Sequence, residues 1–168
     1  MQMKDETSWP NQAAAARALQ EQLRHQVIRH NEFGPVRHVA GLDVGFEAGG
    51  TLTRAAVVVL SFPELQPLDQ AIALLPTTFP YVPGLLSFRE VPALLAALAC
   101  LSVPPDLLLC DGQGLAHPRR FGLACHLGVR TGLPSIGVAK SRLIGSHEAL
   151  GQEKGDFTWL WDQREIIG

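Results

Sequence analysis

The spacing of apolar positions changes several times along the chain, and each change marks an element. Between residues 11 and 30, Leu19, Leu23 and Val27 recur every four positions with Arg17, Glu21 and Arg24 between them. This predicts an amphipathic helix with Asn11 as a candidate cap. Asn31 to Pro35 breaks the pattern. Three strand-like segments follow: Val36 to Phe46 (VRHVAGLDVGF), Arg54 to Phe62 (RAAVVVLSF) and Leu68 to Thr77 (LDQAIALLPT). Their connections, EAGGTLT and PELQP, are short, which predicts an antiparallel meander.

A loop of turn-forming residues covers Thr78 to Leu86. Val91 to Leu101 reads as a helix with Leu94, Leu95 and Leu98 on one side, stopped by Pro104 and Pro105. Asp106 to Asp111 (DLLLCD) and Ser135 to Ala139 read as buried strands, with a helix over Arg119 to Thr131 between them. Strands separated by helices join a sheet in parallel. The expected fold class is therefore α/β: a mixed five-stranded sheet, three antiparallel strands then two parallel, with flanking helices. At about 150 residues per domain, the 168 residues form one.

Composition narrows the picture only at its edges. The chain is 46% hydrophobic and 18% charged, which supports a real core and argues against a disordered or coiled-coil protein. A net charge of -2 argues against a wholly basic nucleic-acid coat and leaves a local basic patch open. Cys100, Cys110 and Cys125 are odd in number and lack a CxxC pair, so they fit buried thiols in a reducing cytoplasm. The N-terminus has no apolar signal core. The longest apolar run, Ala93 to Leu101, is too short for a bilayer. A cytoplasmic protein with no membrane association is expected.

Three carboxylates stand where a core would favour apolar groups. Asp43 interrupts the first strand and shares a face with Gly41 and Gly45, while Leu42, Val44 and Phe46 take the other. Asp111 closes the DLLLCD run, and Glu90 lies at the start of the central helix. Uncompensated buried carboxylates are costly. Three converging on one point, with oxygen ligands alone, suit magnesium or manganese. Each also has a plainer role: Asp43 pairing with Arg54, Asp111 capping a turn before Gly112, and Glu90 closing a capping box with Ser87 that Pro92 weakens.

Other segments add to them. GQGLAHPRR, from Gly112 to Arg120, puts His117, Arg119 and Arg120 near a helix start, a natural phosphate site if it is not simply a solvated loop. Lys140 and Arg142 follow the last strand; Lys140 falls on the same sheet edge as Asp111 if the two strands are adjacent and parallel, or else is merely exposed. Pro80-Tyr81-Val82-Pro83 holds the only tyrosine between prolines, either a stiff wedge for parting stacked bases or a proline turn over the core.

In this order GLDVGFE, TRAAVVVL, PYVPGLLSFRE, DGQGLAHPRR and IGVAKSRL, from about Val36 to Leu143, resemble endonuclease V, the deoxyinosine 3′-endonuclease family. The resemblance implies a ribonuclease H-like fold and Mg2+ (or Mn2+) chemistry. It further implies a DNA-repair hydrolase that nicks the second phosphodiester 3′ to deoxyinosine, leaving a 3′-hydroxyl and a 5′-phosphate. Asp43 and Asp111 match metal-binding positions, Glu90 belongs to the same acidic centre, and Lys140 matches a catalytic lysine. Pro80, Tyr81, Val82 and Pro83 match the strand-separating wedge. Gly84, Leu86, Gly112, Gly114, His117 and Leu123 match the pocket for the displaced hypoxanthine. Arg119, Arg120 and Arg142 are the phosphate contacts expected beside it. The implied partner is DNA containing deoxyinosine, with no stable protein partner.

Family members usually continue beyond the point where this chain stops, with a strand and helix carrying a GHR-like segment whose histidine adds to the active site. Here Trp159 to Ile167 reads as one strand of an incomplete hairpin. Rival readings are an endoribonuclease for inosine-containing RNA, an inosine-nucleic-acid binding module with impaired catalysis, and a phosphotransfer protein. The last rests on a faint likeness of GLDVG to a phosphate hairpin.

Overall fold

A computed structural model of the chain describes residues 9–168; residues 1–8 of the stretch read for a signal segment lie outside it. The meander is β1 (His38–Glu47), β2 (Leu52–Ser61) and β3 (Pro67–Pro76). Then come α2 (Ser87–Ala99), β4 (Leu107–Cys110), α3 (Leu123–Thr131) and β5 (Ser135–Gly137), after an N-terminal α1 (Ala13–Leu23). The sheet order is β3-β2-β1-β4-β5, antiparallel across the meander and parallel from β1 through β4 to β5. This is the expected mixed five-stranded, ribonuclease H-like sheet.

Period-two alternation sets the core. Ala55, Val57 and Val59 of β2, Ala40 and Leu42 of β1, and Leu108 and Cys110 of β4 face one side. The helices α2 and α3 cover that side with Val91, Leu94, Ala97, Leu98 and Leu127. Each valine or leucine among them contributes roughly 1.5–3 kcal/mol when fully buried.

Several expectations change. The first helix is shorter than residues 11–30, ending in a 3-10 turn at Arg24–Gln26. Its cap is Gln12, without a side-chain bond, rather than Asn11. Its buried face is Ala16 and Gln20 rather than the leucine stripe. Ala16 meets Phe79, Leu85 and Phe88, a loop-and-helix cluster too close-packed for anything longer, and Leu19 is only half-buried beside them.

The central helix starts at Ser87, four residues before the expected Val91, and so contains Pro92. Proline cannot bond back to the carbonyl of Phe88. That orphaned carbonyl accepts instead from Trp9 Nε1 at 2.9 Å, which ties the N-terminal segment to the helix. The third helix starts at Leu123 rather than Arg119, because Arg120 sits at φ +54° and Gly122 is extended. The last strand, β5, is not covered on both faces: it is a sheet edge, with Ile136 49% exposed. Residues 159–167 are not one strand of an incomplete hairpin but hold a complete short one, β6 (Trp161–Asp162) with β7 (Glu165–Ile166).

Two glycines around α3 separate strain from clash. A Cβ on Gly122 would fall 2.2 Å from the Gln113 carbonyl oxygen, whereas one on Gly132, at φ +73°, would meet nothing within 4 Å. Gly132→Ala should cost about 1 kcal/mol from backbone strain alone. Gly122→Ala should cost at least about 2–3 kcal/mol, because backbone must move. Denaturant midpoints of the two variants check the ranking.

Candidate active site

The parallel pairing of β1 and β4 builds the site. Leu42 stands opposite Cys110, and the Asp111 N–H donates to the Leu42 carbonyl at 3.0 Å. Asp43 and Asp111 therefore follow as neighbours on adjacent strands at the carboxyl end of β4. Leu42 and Cys110 are buried and Asp43 is exposed, so the alternation puts Asp43 on the opposite face with Gly41 and Gly45. A Cβ added at either glycine would meet nothing within 4 Å, so there is open space beside the carboxylate. Glu90 arrives from the first turn of α2, only 7% exposed.

Burial is the main force raising the Glu90 carboxyl to about 7, followed by the negative charges of Asp111 and then Asp43, against a smaller opposing effect of Arg89. Both aspartates thus lie close enough for their charge to act on Glu90, as an acidic centre requires. Lys140 Nζ lies 2.5 Å from Asp111 Oδ2, and the nearby Asp111 and Asp43 hold its ammonium above the ordinary lysine range. Hydrogen bonds between Val138 and both Cys110 and Gly112 carry the β4–β5 pairing far enough to bring Lys140 there.

The plainer roles fail for two of the acids. Arg54 pairs with Glu47, not Asp43, whose Oδ1 accepts only from the Val44 N–H. Ser87 makes no cap bond because its hydroxyl meets Nδ1 of the fully buried His126, so no capping box forms with Glu90.

Among the described residues no three His, Cys, Asp or Glu side chains form a ready metal cage. Magnesium is commonly held by one or two carboxylates, with water and substrate phosphate completing its shell. Asp43 and Asp111 supply such a pair, all oxygen, beside a third carboxyl raised to about 7 by burial first and by their charge second. The residues present fit a hard divalent cation.

The other two motifs face each other across a shared hydrogen-bond cluster. In the segment expected to be the wedge, Pro80 and Pro83 are exposed and Tyr81 is 70% exposed, while Val82 packs against the cluster of Phe79, Leu85 and Phe88. Gly84, at φ +75°, turns the chain inward. Its carbonyl accepts from His117 Nε2 at 3.1 Å, an Arg119 guanidinium nitrogen at 2.6 Å and Gln20 Nε2 at 3.2 Å. Nε2 of His117 must donate there, which leaves Nδ1 free to accept the Arg119 N–H at 3.2 Å. One neutral tautomer satisfies both bonds, and burial, aided by Arg119, pushes the imidazole down to about 4.

Of the expected pocket residues, Gly112 packs on the Leu123 side chain, Gly114 lies beside Gly137, and Leu86 is exposed. The arginines differ from the donor cluster expected of them. Arg119 is spent on Gln20 and Gly84. Arg120 is spent on Asp162, Glu165 and the His117 carbonyl. Arg142 is exposed after β5. Gln20 escapes sequence reasoning altogether, since a glutamine on a predicted amphipathic helix gives no chemical signal.

The raised Glu90 carboxyl has a measurable consequence. Its folded-state value of about 7 exceeds the 4.5 of an unperturbed glutamate. The stability it permits is therefore fully present below about pH 4.5 and is lost as pH rises through about 7. In metal-free protein, Glu90→Gln should be no more stable than the parent at pH 4. The variant should gain progressively to about 3 kcal/mol near pH 8. Urea unfolding across that range checks it.

Comparison with known proteins adds the following. A family model described as Endonuclease V matches residues 21–168. The Endonuclease V of Nostoc sp. is 56% identical over 169 residues, covering 100% of this chain and 76% of that protein. The crystal structure of the Endonuclease V of Streptomyces avermitilis superposes with TM-score 0.89 at 45% identity, over 96% of this chain and 72% of the other. The Endonuclease V of Ciona intestinalis, solved in complex with a 24mer DNA containing an inosine followed by a ribo-adenosine, gives TM-score 0.72 at 34% identity. That match covers 82% of this chain and 61% of the other.

Proposed function

This chain belongs to the Endonuclease V family, and from that premise we propose that it is a metal-dependent DNA-repair endonuclease that nicks the second phosphodiester 3′ to deoxyinosine. The observation that carries the reading is the proximity of Asp111 and Asp43 both to Glu90 and to Lys140, beside the carboxyl ends of β4 and β5 and midway along β1. Asp43 and Asp111 would hold Mg2+, or Mn2+ in its place. A divalent ion bound there supplies Lewis acidity and an acidified water, and cleavage would leave 3′-hydroxyl and 5′-phosphate ends.

The protein's own groups do the rest. Glu90 is poised to take or give a proton near neutral pH. Lys140, cationic and flexible, offsets charge on the phosphate. Hypoxanthine pairs weakly, so drawing it from the duplex costs less than drawing out a normal base. Tyr81 would fill the gap in the stack, backed by Val82 and the prolines. The Gly84, Gly112 and Gly114 backbone, with Leu86, His117 and Leu123, would enclose the base and leave no room for an amine at carbon two. The exposed Arg142 remains a candidate phosphate contact. Arg119 and Arg120 would contribute through the loops they hold. Cys110 and Cys125 are the buried free thiols expected, whereas Cys100, just past the end of α2, is exposed; free thiols support a cytoplasmic setting.

A second reading, cleavage of inosine-containing RNA, has one specific support: the Ciona relative was solved with a ribonucleotide directly after the inosine.

A labelled duplex with one deoxyinosine tests the proposal. The protein should nick it with Mg2+ and not with EDTA, and Asp43→Ala should lose at least about a hundredfold in rate, the size expected for a group that stabilises transition-state charge. Tyr81→Ala should lose about tenfold on the duplex and little on a single strand. Equal cutting by parent and Asp43→Ala would overturn the metal role, and equal rates on matched RNA would favour the second reading.

A further inference from the structure

Gln20 has no role in the reading above, yet it is the polar side chain most committed to the two loops that reading uses. It is 1% exposed, on a helix with no other chemistry. A glutamine buried so completely must bond through its amide or leave costly unpaired groups. It does so three times. Nε2 donates to the Gly84 carbonyl at 3.2 Å and the Phe121 carbonyl at 2.9 Å, and Oε1 accepts from Arg119 Nε.

These partners lie at two places. Gly84 is where the wedge returns to the body of the protein. Arg119 and Phe121 close the DGQGLAHPRR loop. Arg119, its Nε held by Gln20, reaches the same Gly84 carbonyl, and it lies so close that a Cβ on Gly84 would fall 2.8 Å from its terminal nitrogen. Ala16, one helical turn before Gln20, packs with Leu85 and Phe88 behind the wedge. The helix therefore backs the wedge and the pocket loop together, and the amide fixes their separation.

We propose that Gln20 is a positioning residue for base extrusion: by clamping the Gly84 carbonyl to Arg119 and Phe121, it gives the wedge a rigid footing against the loop that receives the displaced base. The inference rests on the inosine-nuclease reading. A wedge entering a stacked duplex is pushed back by the stack, and that load passes through Gly84. Without the clamp, the buried Phe121 carbonyl and the half-buried Arg119 Nε lose their partner, and the loops shift to satisfy them. A single-stranded substrate, whose base needs no parting from a partner strand, makes little demand on the footing.

The test uses Gln20→Met, of similar length without the amide, and Gln20→Glu, which keeps the acceptor for Arg119 and loses both donors. The probes are a duplex carrying one deoxyinosine beside 2-aminopurine, and the same inosine strand alone. Both are studied in EDTA so that nothing is cut, and each variant's melting curve is recorded. Fluorescence of 2-aminopurine rises when its neighbour leaves the stack.

Both variants should reach half of the duplex signal at about tenfold higher protein concentration, the equivalent of one buried charge-assisted bond. Binding to the single strand should change less than about twofold. If the parent gives the rise and both variants match it, or weaken equally on duplex and single strand in proportion to their melting, the inference fails and the nuclease reading stands. If the parent gives no inosine-dependent rise, the nuclease reading fails and this inference with it.

Discussion

Like charge gathered at a sheet rim is the constraint on which the site depends. Asp43 and Asp111 follow the Leu42–Cys110 pair of two parallel strands, and Glu90 is brought within range of their charge by a helix most of whose side chains are buried. Nothing in folding favours this arrangement: burial and two neighbouring negative charges raise Glu90 to about 7. Lys140 offsets part of the repulsion from one side, on a long exposed side chain. A divalent cation would offset the rest, which is why the arrangement reads as a binding site rather than as a structural ion pair.

The remainder of the molecule holds that rim and a second region in fixed relation. Where Pro92 costs α2 a backbone bond, Trp9 supplies one. Where the chain turns inward at Gly84, after Pro80-Tyr81-Val82-Pro83, donors from α1 and from the glycine-rich loop meet on one carbonyl. Arg120 ties that loop to β6 and β7 through Asp162 and Glu165, and Arg29 reaches Glu165 as well. Arginines that sequence reading assigns to phosphate are used to hold loops. A half-buried guanidinium with several carboxylate and carbonyl partners is more costly to release than an exposed one.

Most of the sheet is legible from alternation, because β1 and β2 bury one face and leave the other open, with Val57 and Val59 buried against the exposed Arg54 and Val58, and β3 repeats the period with half-buried and exposed positions. The strand after Pro134 misleads: its apolar run suggests double coverage, but it is an edge, and periodicity does not report whether a partner lies beyond it. Helix starts are misplaced for local reasons. Pro92 suggests a later start for α2 than Trp9 permits, and the positive φ of Arg120 delays α3. The acids were visible because a carboxylate inside an apolar strand is costly, and the wedge because of its prolines. Gln20 was not, since its meaning lies in carbonyls 64 and 101 residues away.

The most direct measurement is the position of Mn2+ by anomalous scattering in crystals of the full chain soaked with the ion. The account predicts one peak within coordination distance of both Asp43 and Asp111, with Glu90 beside it, which disappears in Asp43→Ala. A peak away from these two side chains, or none at manganese concentrations that support nicking, would contradict it.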